Sequence, residues 1–224
     1  MTHTDPAAAG TQTSPCTVVV RGTSTLSVTP DAARLLVSLT SREPSRAAAT
    51  SELKGAQGRL NAVLSSFDRS VAGVQVSGSR VVASAADTGQ LAGVQPAWDG
   101  SADLSVDVDA HVVPAVLAEL RKVTGVRIAG AAVYRIKDAR AALAEARTQA
   151  TQDAYRAARS YAAVLSGGGA TIALVAVTEL DVDVHPAAGG RGCDERLLTG
   201  DIPAMTVRAL VEAEFLVQPT HPHW

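Results

Sequence analysis

From Asp138 to Leu165 the apolar residues recur at spacings of three and four: Ala139, Leu143, Ala146, Ala150, Ala154, Ala157 or Ala158, Tyr161 and Leu165. That period puts them on one stripe of a helix about 28 residues long, roughly 40 Å at 1.5 Å per residue. Glu145, Arg147, Gln149, Gln152, Arg156 and Arg159 fall mostly off the stripe and keep the other faces wet. Alanine is the best helix former, and its small side chain lets a helix backbone lie close against a sheet or another helix. Such a helix is a structural spine and carries no constellation that does chemistry.

The rest of the chain alternates between strand and helix patterns. Val18 to Val20 begin a strand, Arg21-Gly22 interrupts it, and Thr23 to Thr29 resume it before a turn at Pro30-Asp31. Leu35, Val37 and Leu39 alternate with polar residues, which predicts a half-buried strand forming a hairpin with the one before. Ser45 is placed to cap a helix running to about Phe67, with Leu53, Leu60, Val63, Leu64 and Phe67 on its inner face. Gly55 and Gly58 each cost that helix roughly 1 kcal/mol relative to Ala, so its middle is expected to be bent or closely packed.

Val74 to Ala85 reads as a strand, Asp87 to Gly100 as a turn-rich connection, and Ala102 to Ala110 as a second strand with Leu104, Val106 and Val108 on one face. Pro114 opens a short helix to Val123 that Gly125 ends, and Val126 to Ile136 makes another strand leading to the long helix. Ser166 to Gly169 closes that helix. Ile172 to Val184 and Thr206 to Gln218 are the last strands, joined by a Gly-rich loop from His185 to Pro203. The order implies an α+β fold, with a mainly antiparallel sheet on which the long helix and one or two further helices pack.

Composition narrows function by exclusion. A net charge of −2, with basic residues spread along the chain, leaves no electrostatic footprint for nucleic acid. Aromatics are only 3%, so the core is built from Val, Leu, Ile and Ala. No run reaches the 18 apolar residues of a membrane span, and residues 1–16 lack the charged and apolar regions of a signal peptide. Residues 1–16 and 219–224 are therefore expected to be tails around a domain of residues 17–218. The expected location is cytoplasmic, or secreted if a leader has been removed.

Carboxylate, histidine, glycine and cysteine groups are the candidate sites. Glu179, Asp181, Asp183 and His185 alternate along one strand, and Asp103, Asp107 and Asp109 repeat the pattern. Calcium takes six to eight oxygens, more than one strand supplies, so both read as solvated strand faces that discourage edge pairing. His221 and His223 with His185 read as tail residues rather than an imidazole metal site. Gly167 to Gly169 and Gly189-Gly190-Arg191-Gly192 lack the Lys-Ser/Thr of a phosphate loop and read as turns. Cys193 with Asp194, Glu195 and His185 is a weak nucleophile candidate, with positive charge from Arg191 and Arg196. Cys16 and Cys193 are read as free thiols. No catalytic, cofactor or metal residue is assigned.

Three stretches together resemble the SIMPL domain family. They are Val18-Val19-Val20-Arg21-Gly22 leading to Thr29-Pro30-Asp31-Ala32; Ala139 to Ala163 with Glu145-Ala146-Arg147 and Tyr161-Ala162; and Ile202-Pro203 before the alternation from Val207 to Phe215. The resemblance spans about residues 17 to 218. It departs from the family where Thr23-Ser24-Thr25 replaces a second glycine, and in lacking the secretory leader of many bacterial members. The resemblance implies an α+β fold, oligomerisation into large assemblies and no established catalytic activity. The expected function is thus a non-catalytic, self-associating scaffold or interaction module without cofactor. The alternative is a small-molecule or envelope-ligand binding protein using the 185–203 loop.

Overall fold

The computed structural model describes residues 14–84, 97–130, 132–166, 169–186 and 202–220. These fall into two compact units. One comprises the described residues of Met1–Leu26, Ala139–His185 and Thr206–Trp224; the other, those of Ser27–Asp138 and Pro186–Met205. The architecture is α+β with mainly antiparallel sheets and three α-helices among the described residues.

The first unit holds β1 (Cys16–Val28), α3 (Arg140–Ser166), β7 (Ala170–Pro186) and β8 (Met205–Pro219). Its three-stranded sheet has the order β1-β8-β7, with β8 in the centre. Every odd-numbered residue of β8 from Met205 to Val217 is buried, the period-2 pattern that its sequence carries. The buried residues of α3 are Ala146, Ala150, Ala154, Ala158 and Ala162, a strict i+4 row. Tyr161 and Leu165, expected on that stripe, are both 58% exposed instead. The contact row follows i+4 steps, whereas the sequence stripe mixes steps of three and four.

Gly22 does not interrupt β1. The strand is continuous from Cys16 to Val28, with Val20 and Gly22 buried. A Cβ at Gly22 would overlap the Ala150 carbonyl oxygen and lie 2.6 Å from the Ala154 nitrogen. The glycine is where strand backbone meets helix backbone. On either side Ser24 Oγ donates to the Ala146 carbonyl at 2.7 Å, and Thr23 N–H donates to Asp153 Oδ2 at 3.1 Å.

The second unit is built on β2 (Ala32–Glu43), α1 (Arg46–Ser65), β3 (Val71–Ala83), β4 (Trp98–Asp109), α2 (Val113–Leu120), β5 (Val126–Ile128) and β6 (Val133–Arg135). The five-stranded sheet has the order β3-β4-β2-β5, and β6 also pairs β2. The expected hairpin between the first two strands is not formed: β1 belongs to the other sheet, and β2 pairs antiparallel with β4 from Ala32–Asp109 to Glu43–Trp98. Alternation gives a strand its faces but not its partner. The single strand expected over Val126 to Ile136 is two short ones, β5 and β6, both paired to β2.

One face of this sheet carries α1 and α2. Leu35, Val37, Leu39, Leu104, Val106 and Val108 form one core with Leu53, Leu60, Leu64, Val116 and Leu120 of the helices. Ser45 caps α1 as expected, its Oγ accepting from Ala48 N–H at 3.2 Å. The helix runs unbroken past both glycines, and a Cβ at Gly58 would meet nothing within 4 Å. Val63 and Phe67 are only partly buried against the core. Pro114 sits in the first turn of α2, and Gly125 follows the helix at φ +80°.

Gly22→Ala is expected to cost about 3 kcal/mol or more, because the added methyl meets backbone atoms that cannot rotate away. Urea denaturation of the two proteins measures it, and a change below about 1 kcal/mol would contradict this packing.

Candidate functional site

The outer face of the second unit's sheet carries the alternating carboxylates noted in the sequence. Arg34 and Asp107 are directly opposed across β2 and β4, which brings their side chains together on one face. Arg34 donates twice to Asp107, Nε to Oδ1 at 2.8 Å and Nη2 to Oδ2 at 2.9 Å. Arg135 of β6 reaches the same carboxylate at 2.7 Å. Lys137 Nζ donates to Asp109 Oδ1 at 2.6 Å, and the Lys137 backbone N–H donates to Asp31 Oδ1.

Asp107 and Asp109 are thus neutralised by cations from neighbouring elements, and Asp103 stays exposed. The Arg34 hydrogen bonds hold the Asp107 carboxyl below the usual aspartate range, against the opposing effect of partial burial. The Lys137 hydrogen bond does the same for Asp109. The sequence reading named the carboxylates but not their partners. The signal was available in the opposite charges of Arg34 and Asp107, but only once the strand register is known.

The acidic stretch of β7 is also partly neutralised. Arg147 of α3 donates to Glu179, which lowers the Glu179 pKa and raises that of the guanidinium. His185 Nε2 lies 2.7 Å from Asp183 Oδ2, and Asp183 Oδ1 is buried without a hydrogen-bond partner. Glu179, Asp183 and His185 therefore engage in pairs. Among the described residues no three His, Cys, Asp or Glu side chains lie close enough to hold a metal ion. Residues Arg191, Cys193, Asp194, Glu195, Arg196, His221 and His223, with Gly167, Gly168 and Gly189 to Gly192, lie outside the described residues. Cys16 is half-buried at the start of β1.

The apolar surface of the first unit gathers on β7 and α3. β7 ends the sheet, and Leu174, Val175, Val177 and Leu180 on it are 51%, 58%, 44% and 43% exposed. Beside it a surface hollow is lined by Arg147, Thr151, Tyr155, Leu174 and Phe215. Tyr155 and Phe215 meet in a tilted arrangement, ring centroids 5.9 Å apart.

A family model described as "SIMPL: Protein of unknown function (DUF541)" matches residues 18–215, most of the chain. The chain belongs to the SIMPL family. No curated protein matches it. The match to this SIMPL chain runs from Val18 in β1 to Phe215 in β8, so it takes in residues of both compact units. No helix of the described residues is long and apolar enough to cross a membrane.

The ion pairs set an acid limb on stability. The folded-state pKa of Asp107 lies below the free value of 3.8, so its contribution is fully present above that pH and is lost as pH falls through the lower folded value. Asp107→Asn is expected to cost about 1 kcal/mol at pH 7 and to flatten the loss of stability below about pH 4. Urea midpoints measured from pH 7 to pH 2 read both effects; parallel curves for parent and variant would contradict the assignment.

Proposed function

We propose that this SIMPL chain is a non-catalytic, self-associating scaffold or interaction module, and that two copies meet along the free edge of β7. The observation carrying this reading is the length and apolar character of that edge: seventeen residues, with four large apolar side chains between 43% and 58% exposed. A strand edge presents unpaired N–H and C=O groups, a ready template for another strand. Exposed apolar residues along such an edge favour a partner over water.

Charge favours a second copy in antiparallel register. The apolar half of β7 runs from Ala170 to Val177, and its carboxylates, Glu179, Asp181 and Asp183, follow. A two-fold axis through Ala176 sets Glu179 opposite Ala173 and Asp181 opposite Thr171. The acidic end of each strand then faces the neutral end of the other, as an isologous interface requires. In-register parallel pairing would stack like charges. The Arg147 pair on Glu179 further reduces the charge that pairing brings together.

Light scattering after size-exclusion chromatography is expected to give a discrete multiple of 22.9 kDa that survives dilution. The double variant Val175→Lys, Val177→Lys is expected to run as a monomer, since both residues are exposed and the axis sets each lysine opposite a lysine of the other copy. A monomeric parent would sink the proposal. An oligomeric variant would move the contact to another surface.

A further inference from the structure

Within the second unit a cleft of about 190 Å³ opens between α1 and the edge strand β3. Its floor is apolar, made by Leu39, Leu53, Ala102 and Leu104, all buried in the core. Its outer wall comes from β3, and the shape of that wall follows from a bulge. Val76 pairs with Leu104 and Gly78 with the next residue back, Asp103, so Ser77 is an extra residue on β3. Beyond the bulge Ser79 opposes Ala102 and Val81 opposes Gly100. Directly opposed residues share a face, so Val76, Ser79 and Val81 all stay on the side that α1 covers. Yet Val76 is 54% exposed. Val76 lines the cleft, which leaves it open on the face that α1 covers.

The size selects the ligand class. Apolar cavities of about 150 Å³ accept benzene, whereas drug-sized ligands occupy roughly 300 Å³ or more. The cleft fits an aromatic ring or a short alkyl chain.

The charge at the mouth selects the rest. Lys54 and Thr50 line both this cleft and a neighbouring surface hollow, which Arg46 also lines. No carboxylate lines either one. Among the described residues neither Lys54 nor Arg46 has an ion-pair partner, while Glu52 is taken by Arg59 at 2.6 Å. Two cations without an ion-pair partner among the described residues therefore flank the entrance to a cleft with an apolar floor.

We propose that this cleft is a binding site for a small monocarboxylate with an apolar body, its ring or chain against Leu53, Ala102 and Leu104 and its carboxylate at Lys54. The apolar body supplies affinity by burial, and the lysine supplies selectivity for the anion.

Titration calorimetry of the full chain at low ionic strength tests this with benzoate and hexanoate, using benzyl alcohol as the uncharged control. Saturable binding of one carboxylate per chain is expected, weaker for the alcohol. Lys54→Gln should weaken benzoate about threefold, and added salt should do the same. Ser79→Phe, on the exposed edge strand, should fill the cleft and abolish binding with an unchanged melting temperature. Gln57→Phe closes it from the helix side and carries the test if Ser79→Phe does not fold. Absence of saturable binding would overturn the proposal. Equal affinity for benzyl alcohol and benzoate would overturn it too, as would benzoate binding that survives a folded cleft-filling variant.

Discussion

The first unit depends on a contact between two backbones. Gly22 brings β1 against α3 so closely that the helix can present only alanine there, and Ala146, Ala150 and Ala154 are the residues it presents. Close approach reduces the apolar area each residue buries, because alanine has little to bury. The contact is secured instead by polar groups at its margins, Ser24 to the Ala146 carbonyl and Thr23 to Asp153. Larger side chains enter only away from Gly22, where Tyr155 meets Phe215 of β8. The alanine row and the glycine are thus one feature: enlarging either side separates the layers that the other needs close.

The second unit solves packing differently, with Leu and Val filling the space between sheet and helices. The alternating aspartates of β4 stand on its other sheet face. Repulsion among Asp103, Asp107 and Asp109 would be unfavourable on a strand pair without cations. Arg34, Arg135 and Lys137 come from β2, β6 and the residues after it, so the same neighbours that complete the ladder also balance its charge. Two carboxylates of a row that looks like half of a cation site from one strand, Asp107 and Asp109, are ion-paired in the sheet.

This difference marks where the sequence was legible. Features set within a few residues could be read directly: the Ser45 cap, Pro114 in the first turn of α2, the period-2 burial of β8 and the α+β class. Features set by a distant partner could not. Gly22 looked like a break because the Ala150 and Ala154 backbone that it meets lies about 130 residues away. The hairpin expected of β1 and β2 failed because strand neighbours are chosen by which sheet buries each face, and adjacency is only a tendency. The helix stripe drifted at its end for a geometric reason. A strict i+4 row is inclined to the helix axis, and a twisted sheet follows such a row rather than a line parallel to the axis. Ala158 stays buried as expected, Ala162 is buried in place of Tyr161 and Leu165, and the larger side chains are left in water.

The two edge strands, β3 and β7, show how local sequence decides what an edge can do. β3 breaks register twice, after Val71 and after Val76, and carries Gly73 and Gly78 at those places. Each break bends the strand and interrupts the regular spacing of its free N–H and C=O groups, so a second strand finds a poor template. Val76, just before the second break, lines the cleft on the covered side and is 54% exposed. β7 keeps its carboxylates in its C-terminal half, while the stretch from Ala170 to Thr178 carries no charge. That polarity opposes a parallel partner and tolerates an antiparallel one, so charge alone restricts which copy-to-copy arrangement an exposed apolar edge can accept. An edge can therefore be guarded by irregular backbone, which favours a small ligand, or filtered by charge order, which favours one orientation of a strand.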